Sequence, residues 1–207
     1  MQLKAHKILL AGIALSMGFA GTANAFEPGD WLVRVGASYV NPASDNSDIV
    51  SVESDTSVTL NFSYMMTDVW ALELLAAVPF KHDIELLDGT KVGSTKHLPP
   101  TLSVQYHFNP TEKFQPYVGL GLNYTNFFSE KTTGPLEGLD LSLGDSWGLA
   151  GQIGFDVLFN DDWFFNLDVR YIDIDTKARV GGDSIGKVEI DPVSYTHLTL
   201  PTTQAWG

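Results

Sequence analysis

The sequence predicts an all-β protein, an eight-stranded antiparallel transmembrane β-barrel of the outer membrane of a Gram-negative bacterium. Three observations predict it: an N-terminal export signal, alternation of apolar and polar residues with a period of two, and connections that alternate between short turns and long segments. Eight strands of roughly 10 residues each, with their turns and loops, fit a chain of 207 residues.

Residues 1–25 have the parts of a secretory signal peptide. Lys4 and Lys7 precede an apolar run over residues 8–20, and residues 23–25 read Ala-Asn-Ala, a small-residue cleavage site. The alternative is a membrane anchor, but the apolar run is shorter than the roughly 20 residues that a spanning helix needs. We therefore predict export and cleavage after residue 25.

Seven runs of alternating residues follow the predicted signal peptide. In each run one face is apolar and carries no charge. The runs cover residues 31–39, 57–66, 70–78, 101–108, 117–124, 147–157 and 163–171. Because successive side chains of a strand point to opposite sides, each run predicts a strand with two different environments. We place the eighth strand from Ile185 through Val188 and Ile190.

The connections between the runs alternate in length. Short turns are predicted at residues 67–68, 109–113 and 160–162. Long loops are predicted at residues 41–56, 81–96, 129–144 and 175–184. Short turns at one end and long loops at the other are typical of outer-membrane barrels, in which the long loops are extracellular. This arrangement places both termini on the periplasmic side.

The charge-free faces and the aromatic residues favour a membrane barrel over an exported soluble barrel. A lipid-facing Arg or Lys at mid-depth costs roughly 2–4 kcal/mol, which explains faces without charge. Aromatic residues also gather where the runs end, as expected of two interfacial girdles. Near the short turns these are Trp31, Trp70, Phe108, Phe114 and Trp163. Near the long loops they are Tyr39, Phe80, Phe127, Phe128, Trp147 and Tyr171.

The composition excludes several functions. The net charge is −13, and without residues 1–25, which hold two lysines and no acid, it is −15. A chain this acidic predicts no nucleic-acid partner, because such partners require a basic surface. The absence of cysteine excludes thiol catalysis, disulfides and cysteine–zinc sites. The acidic segments 161–162 and 173–175 lack the spaced ligands of a calcium-binding EF-hand.

The remaining polar residues do not form a convincing catalytic or metal site. Ser103 and His107 share a face of one strand, but a rise of about 3.3 Å per residue separates them by about 13 Å. His82 and His97 flank one long connection. A metal site there needs a further ligand, and the neighbouring Asp83 is the obvious candidate. We predict no catalytic residue, no metal and no cofactor.

Several segments resemble the outer-membrane protein W (OmpW) family. They include HLPPTL at 97–102, PYVG at 116–119, DSWG at 145–148 and YIDID at 171–175, with further matches at 73–77, 79–82, 123–125 and 191–192. The resemblance implies a barrel with a narrow, rather hydrophobic interior that passes small, mainly hydrophobic molecules across the outer membrane, through the interior or a lateral opening. The alternative is a structural or receptor barrel whose extracellular loops bind ligands, phage or host surfaces. The implied partners are outer-membrane lipids, small hydrophobic solutes, the barrel assembly machinery and periplasmic chaperones.

Candidate site residues lie on the inward faces of the predicted strands. An eight-stranded barrel has little more room than its own side chains need, so a solute must fit between them or leave sideways. The candidates for the lumen or a constriction are Arg34, Glu73, Leu75, His107, Tyr117, Asp156, Asp168 and Arg170. We expect the charged members to form interior ion pairs, because charges in a low-dielectric interior need partners. Leu75 either forms an apolar constriction or only fills space.

Two further segments allow alternative interpretations. Residues 134–143, with several leucines, predict a short helix or an apolar flap that covers the mouth or touches lipid.

We assign residues 26–192 to the barrel and residues 193–207 to an atypical tail. Pro201 would interrupt strand pairing there, and the alternatives are a non-native C-terminus and a genuine divergent tail. The tail argues against complete closure of the barrel.

Overall fold

A computed structural model describes residues 26–41, 50–86, 88–159 and 163–197. The strands in chain order are β1 (Trp31–Asn41), β2 (Val50–Val52), β3 (Asp55–Met65), β4 (Trp70–Ala77), β5 (Phe80–Leu86), β6 (Lys91–Leu98), β7 (Thr101–His107), β8 (Phe114–Thr132), β9 (Leu141–Leu143), β10 (Ser146–Leu158), β11 (Phe164–Ile172), β12 (Asp175–Val180), β13 (Asp183–Glu189) and β14 (Val193–His197). A short 3₁₀ helix covers Gly134–Leu136. The predicted signal peptide and its cleavage site lie outside the described residues.

Eight of these strands close into a ring. Their order is β1-β3-β4-β7-β8-β10-β11-β14, and β14 returns to β1, with every pair antiparallel. The prediction of an eight-stranded antiparallel barrel is thus confirmed, and all seven alternating runs fall on barrel strands. In the described part of the chain, no helix has the length and apolar character needed to cross a membrane.

The outer surface of the barrel is apolar and its interior is polar. Leu120, Leu149 and Ile153 point outward with 77%, 67% and 62% of their surface exposed, whereas Gln105 and Asp156 are completely buried. A soluble barrel has the opposite arrangement, because water is its outer solvent. The pattern is that of a protein whose outer solvent is lipid, as the charge-free faces predicted.

The eighth barrel strand differs from its prediction. The run that begins near Ile185 lies in β13, which pairs with β12 in a separate three-stranded sheet with β9. Val193–His197 instead forms the last barrel strand and pairs with both β1 and β11. Val188 and Ile190 alternate because they face an apolar cluster above the barrel and not lipid. Contrary to our expectation, the start of the tail closes the ring.

The connections predicted as long loops contain further β-strands among the residues that the structure describes. β5 and β6 pair with each other, β2 joins β5, and the upper part of β8 joins β6, which extends the barrel wall beyond the membrane. A strand of 19 residues such as β8 is roughly 60 Å long, much longer than an apolar band about 25 Å tall requires. The described part of the extracellular end therefore consists of two groups of paired strands, β2-β5-β6-β8 and β9-β12-β13.

Candidate functional site

A network of charged side chains crosses the middle of the barrel. Arg170 on β11 donates a hydrogen bond to Glu73 on β4, with Nη2 2.6 Å from Oε1. In the eight-stranded ring β11 and β4 lie on opposite sides. This single ion pair therefore spans the width of the interior. Arg170 also donates to Gln152 and lies 3.5 Å from Asp168.

Arg34 on β1 connects the network to Asp156 on β10. Its Nη2 and Nε lie 2.8 and 3.3 Å from the two carboxylate oxygens of Asp156, a two-point contact that fixes orientation as well as charge. Its Nη1 donates to Ser63 Oγ at 2.7 Å and lies 3.6 Å from Glu73. Glu73 thus lies between two guanidinium groups.

Neutral polar groups complete the network on its periplasmic side. Tyr117 Oη donates to Asp168 at 3.2 Å and accepts from Asn166 at 2.9 Å, while Asn166 also donates to Asp156 at 2.8 Å. The ring of His107 stacks on Tyr117 with centroids 5.1 Å apart. Gly154 makes room for Tyr117, because a Cβ there would lie 2.5 Å from its Oη.

The structure brings seven of the eight candidate residues into this one network, and the eighth lies above it. The seven are Arg34, Glu73, His107, Tyr117, Asp156, Asp168 and Arg170, each at most 3% exposed. Two guanidinium groups face three carboxylates, so the network carries one surplus negative charge when all are ionised. Because all seven side chains are buried, the network fills the interior at this level.

An apolar plug closes the periplasmic end below the network. The buried residues of the plug are Phe26, Leu32, Met65, Ala71, Leu158 and Phe164. The ring of Phe26 packs edge-on against Phe164 with centroids 5.4 Å apart. The guanidinium of Arg34 lies 5.5 Å from the centroid of Phe164, so network and plug are in direct contact. The alternating pattern does not predict the plug, because Phe26 precedes the first alternating run.

Above the network lies a small cavity, the lower cavity, of about 20 Å³. Its lining includes Leu75, Arg170, Pro99, Ile172 and His97. Leu75 is 7% exposed and contributes apolar surface directly above the charged groups. Its role as an apolar constriction is a proposal.

A second, larger and almost wholly apolar cavity, the upper chamber, lies between the two extracellular sheets. It has a volume of about 50 Å³. Its lining residues include Val52, Ile84, Val92, Phe127, Ala178, Val188 and Ile190, together with His82 and His97. His97 also lines the lower cavity, so the two spaces are neighbours. Leu136, Leu141 and Leu143 cover one side of the chamber, which favours the alternative in which residues 134–143 cover the mouth.

Four aromatic rings form a column beside the upper chamber. His82 and His97 are stacked with centroids 4.9 Å apart, Phe80 stacks on His97 at 5.4 Å, and Phe127 lies 5.8 Å from His97. The prediction that Phe80 and Phe127 belong to the lipid girdle is wrong, since both are buried in this column. Burial lowers the pKa of His97 to about 3 and also lowers the pKa of His82. Both imidazoles are therefore neutral at pH 7.

The approach of His82 and His97 does not create the metal site considered from the sequence. Asp83, the expected further ligand, forms ion pairs with Lys91 and Lys81 instead. The carboxylates of Asp173, Asp175 and Asp191 do converge within 4.8 Å at the rim of the barrel. However, Asp175 pairs with Lys187 at 2.8 Å, and exposed acidic groups often cluster without a metal.

The closed ring, its apolar outer surface and its polar interior define an eight-stranded barrel of the bacterial outer membrane. The sequence model of the OmpW family matches residues 27–197. The chain belongs to this family, as the resemblance of its motifs predicted.

Known relatives agree with this assignment. The outer membrane protein W of Vibrio cholerae is 46% identical over 81% of this chain and 86% of its own length, and that of Escherichia coli is 41% identical over 90% and 94%. The crystal structure of the outer membrane protein OprG from Pseudomonas aeruginosa is similar with a TM-score of 0.79 and 37% identity, over 88% of this chain and 99% of OprG. A more distant relative, 23% identical over 81% of this chain and 85% of its own length, is the dibenzothiophene metabolism operon protein PahQ of Pseudomonas aeruginosa. The chain is thus an outer-membrane protein.

Proposed function

We propose that this protein passes small, mainly hydrophobic molecules from the extracellular side into the outer membrane. The observation that carries the proposal is the vertical order of its interior: an apolar chamber at the top, a charged network in the middle and an apolar plug at the bottom. An apolar molecule is favoured in the chamber and excluded by the network, because displacing paired buried charges is costly. Its exit is therefore sideways.

The edge between β4 and β7 is the best candidate for a lateral opening. Their pairing ends at Leu75 and Thr101, although β4 continues to Ala77. The residues before Thr101 are Pro99 and Pro100, which have no backbone N–H to donate to a neighbouring strand. Pro99 and Leu75 both line the lower cavity, so this edge adjoins the end of the apolar path.

The names of relatives add support of a general kind. PahQ is named for an operon of dibenzothiophene metabolism, and dibenzothiophene is an apolar aromatic compound. For the present protein, this supports apolar solutes as a class without identifying one.

A pair of tryptophan variants tests the route. Leu75→Trp fills the lower cavity, whereas Leu74→Trp, the matched control, places the same side chain in lipid on the same strand, where Leu74 is 46% exposed. Uptake of an apolar dye that fluoresces in membranes is measured in cells with equal amounts of folded barrel. We expect L75W to reduce uptake to the level of cells without the protein and L74W to retain it. Equal uptake by both variants would contradict the route.

A receptor role remains the second candidate, because the ordered sheets β5–β6 and β12–β13 present a large extracellular surface. Shortening the β12–β13 hairpin at Gly181 and Gly182 separates the two functions. Lost binding of cells or phage with unchanged dye uptake would favour the receptor, and the reverse would favour transport.

A further inference from the structure

One buried histidine that lines the upper chamber, His82, has ring nitrogens whose hydrogen-bonding roles can be worked out. His82 lines the chamber and is 1% exposed, and its Nδ1 lies 2.5 Å from the backbone carbonyl oxygen of Glu53. A carbonyl oxygen only accepts hydrogen bonds, so Nδ1 carries the proton. In a neutral imidazole the other nitrogen is then an acceptor with a free lone pair. Burial, which lowers the pKa of His82, keeps the ring in this neutral form.

That acceptor is unused by the protein. His82 Nε2 is buried and has no hydrogen-bond partner among the described residues. The nearest polar ring, that of His97, is stacked on it with an angle of 15° between the planes. Because the N–H groups of an imidazole lie in the plane of its ring, a stacked ring cannot donate to the ring beneath it. An unpaired acceptor in apolar surroundings is unfavourable, and a ligand that supplies a donor relieves it.

We propose that the upper chamber selects apolar molecules that carry one hydrogen-bond donor, such as a hydroxyl group, and that His82 accepts that hydrogen bond. This inference rests on the proposed uptake of apolar molecules and specifies their class. The apolar body of the ligand contacts side chains such as Val92, Phe127 and Ile190, and its donor contacts His82. A ligand that only accepts hydrogen bonds, such as an ether, gains nothing at this nitrogen.

The chemistry of the interior disfavours the competing ligand classes. A carboxylate offers no donor at neutral pH, and the network below already holds more carboxylates than guanidinium groups. A metal ion lacks its third ligand, since Asp83 is paired with lysines. The chamber of about 50 Å³ is smaller than a ligand the size of a benzene ring requires. Such a ligand therefore enters only when Leu136, Leu141 and Leu143, which cover the chamber, move aside.

Phenol and anisole test the proposal, because they share a benzene ring and differ in whether the oxygen carries a proton. The full chain is placed in lipid nanodiscs with ¹⁵N-labelled histidine, empty nanodiscs correct for partitioning into lipid, and binding is compared at equal free ligand concentration. We expect phenol to bind about tenfold more tightly than anisole, the effect of roughly one net hydrogen bond. Phenol, and not anisole, should shift the ¹⁵N resonance of the unprotonated nitrogen of His82.

Three variants assign the preference to His82. His82→Phe removes the acceptor and retains an aromatic ring, so phenol and anisole should bind within about twofold of each other. His82→Gln retains an acceptor oxygen and should keep part of the preference. Val92→Ala, the matched control, removes apolar surface of the same chamber and should weaken both ligands equally.

The outcomes separate this inference from the proposed function. Equal binding of phenol and anisole to the unmodified protein, or an unchanged preference in H82F, would overturn the role of His82 and leave apolar uptake intact. Binding of neither ligand above empty nanodiscs would overturn both. If H82F does not fold, the ¹⁵N shift and the H82Q variant still decide the question.

Discussion

Replacing Arg170 by leucine should strongly destabilise the barrel, and a second replacement should reverse part of the loss. Arg170 is 3% exposed, its Nη2 lies 2.6 Å from Glu73, and its Nε lies 3.5 Å from Asp168. Its removal leaves one guanidinium, Arg34, to balance three carboxylates, so the surplus negative charge of the network rises from one to two. Breaking a buried ion pair by removing one partner costs about 3–5 kcal/mol.

The double variant R170L/E73L restores the original charge balance. Arg34 keeps its two-point contact with Asp156 at 2.8 and 3.3 Å, and the surplus negative charge returns to one. Apolar replacement of both partners of a buried pair is often neutral or stabilising. We therefore expect the double variant to be more stable than R170L alone by about 2 kcal/mol.

Urea unfolding of the barrel refolded into lipid vesicles measures both effects, with the fluorescence of the five tryptophans as the probe. Leu74→Ala, which removes a lipid-facing side chain, is the control for general effects of substitution. A loss below about 1 kcal/mol for R170L would show that the ion pair is weak. A double variant less stable than R170L would refute the reasoning from charge balance.

Three further predictions follow from the same structure. Burial lowers the pKa of His97 from 6.5 to about 3 and also lowers the pKa of His82. The pairing of β5 with β6 should therefore be fully stable above pH 6.5 and become less stable as the pH falls toward 3. Faster amide hydrogen exchange in these strands measures this loss. Gly154→Ala should cost about 1–3 kcal/mol in urea unfolding by displacing Tyr117. Phe26→Ala should cost roughly 3 kcal/mol yet leave planar-bilayer conductance near zero, because the charged network remains. Urea unfolding unchanged by F26A or by G154A, or amide exchange independent of pH, would contradict these expectations.

The barrel strands were predictable because lipid and lumen impose different chemistry on alternate residues. Leu120 and Leu122 face lipid with 77% and 59% of their surface exposed, and no charge is tolerated beside them. The same alternation led to a wrong assignment at Val188 and Ile190. Their side chains face the upper chamber, so this run does not belong to the barrel. A period of two indicates that a strand has one apolar face. Whether the strand belongs to the barrel depends on the strands with which it pairs.

The site was predictable only in part. The inward position of Glu73 and Arg170 follows from the alternation on each strand, but their contact depends on the order of strands around the ring. The upper chamber was harder to foresee. Phe127 lies beyond the predicted fifth run and Ala178 lies in a predicted loop. They meet because the barrel beneath them brings together the two sheets that pair above the membrane.

The crossed network of Arg34, Glu73 and Arg170 has a consequence for the cell as a whole. A bacterium that needs more of a scarce apolar nutrient must raise the number of uptake proteins in its outer membrane. With a water-filled porin each added copy also admits salts and polar toxins. Because two layers of packed side chains close this barrel, we expect added copies to increase the proposed uptake without admitting more ions, so the cell can raise the number of copies when the nutrient is scarce.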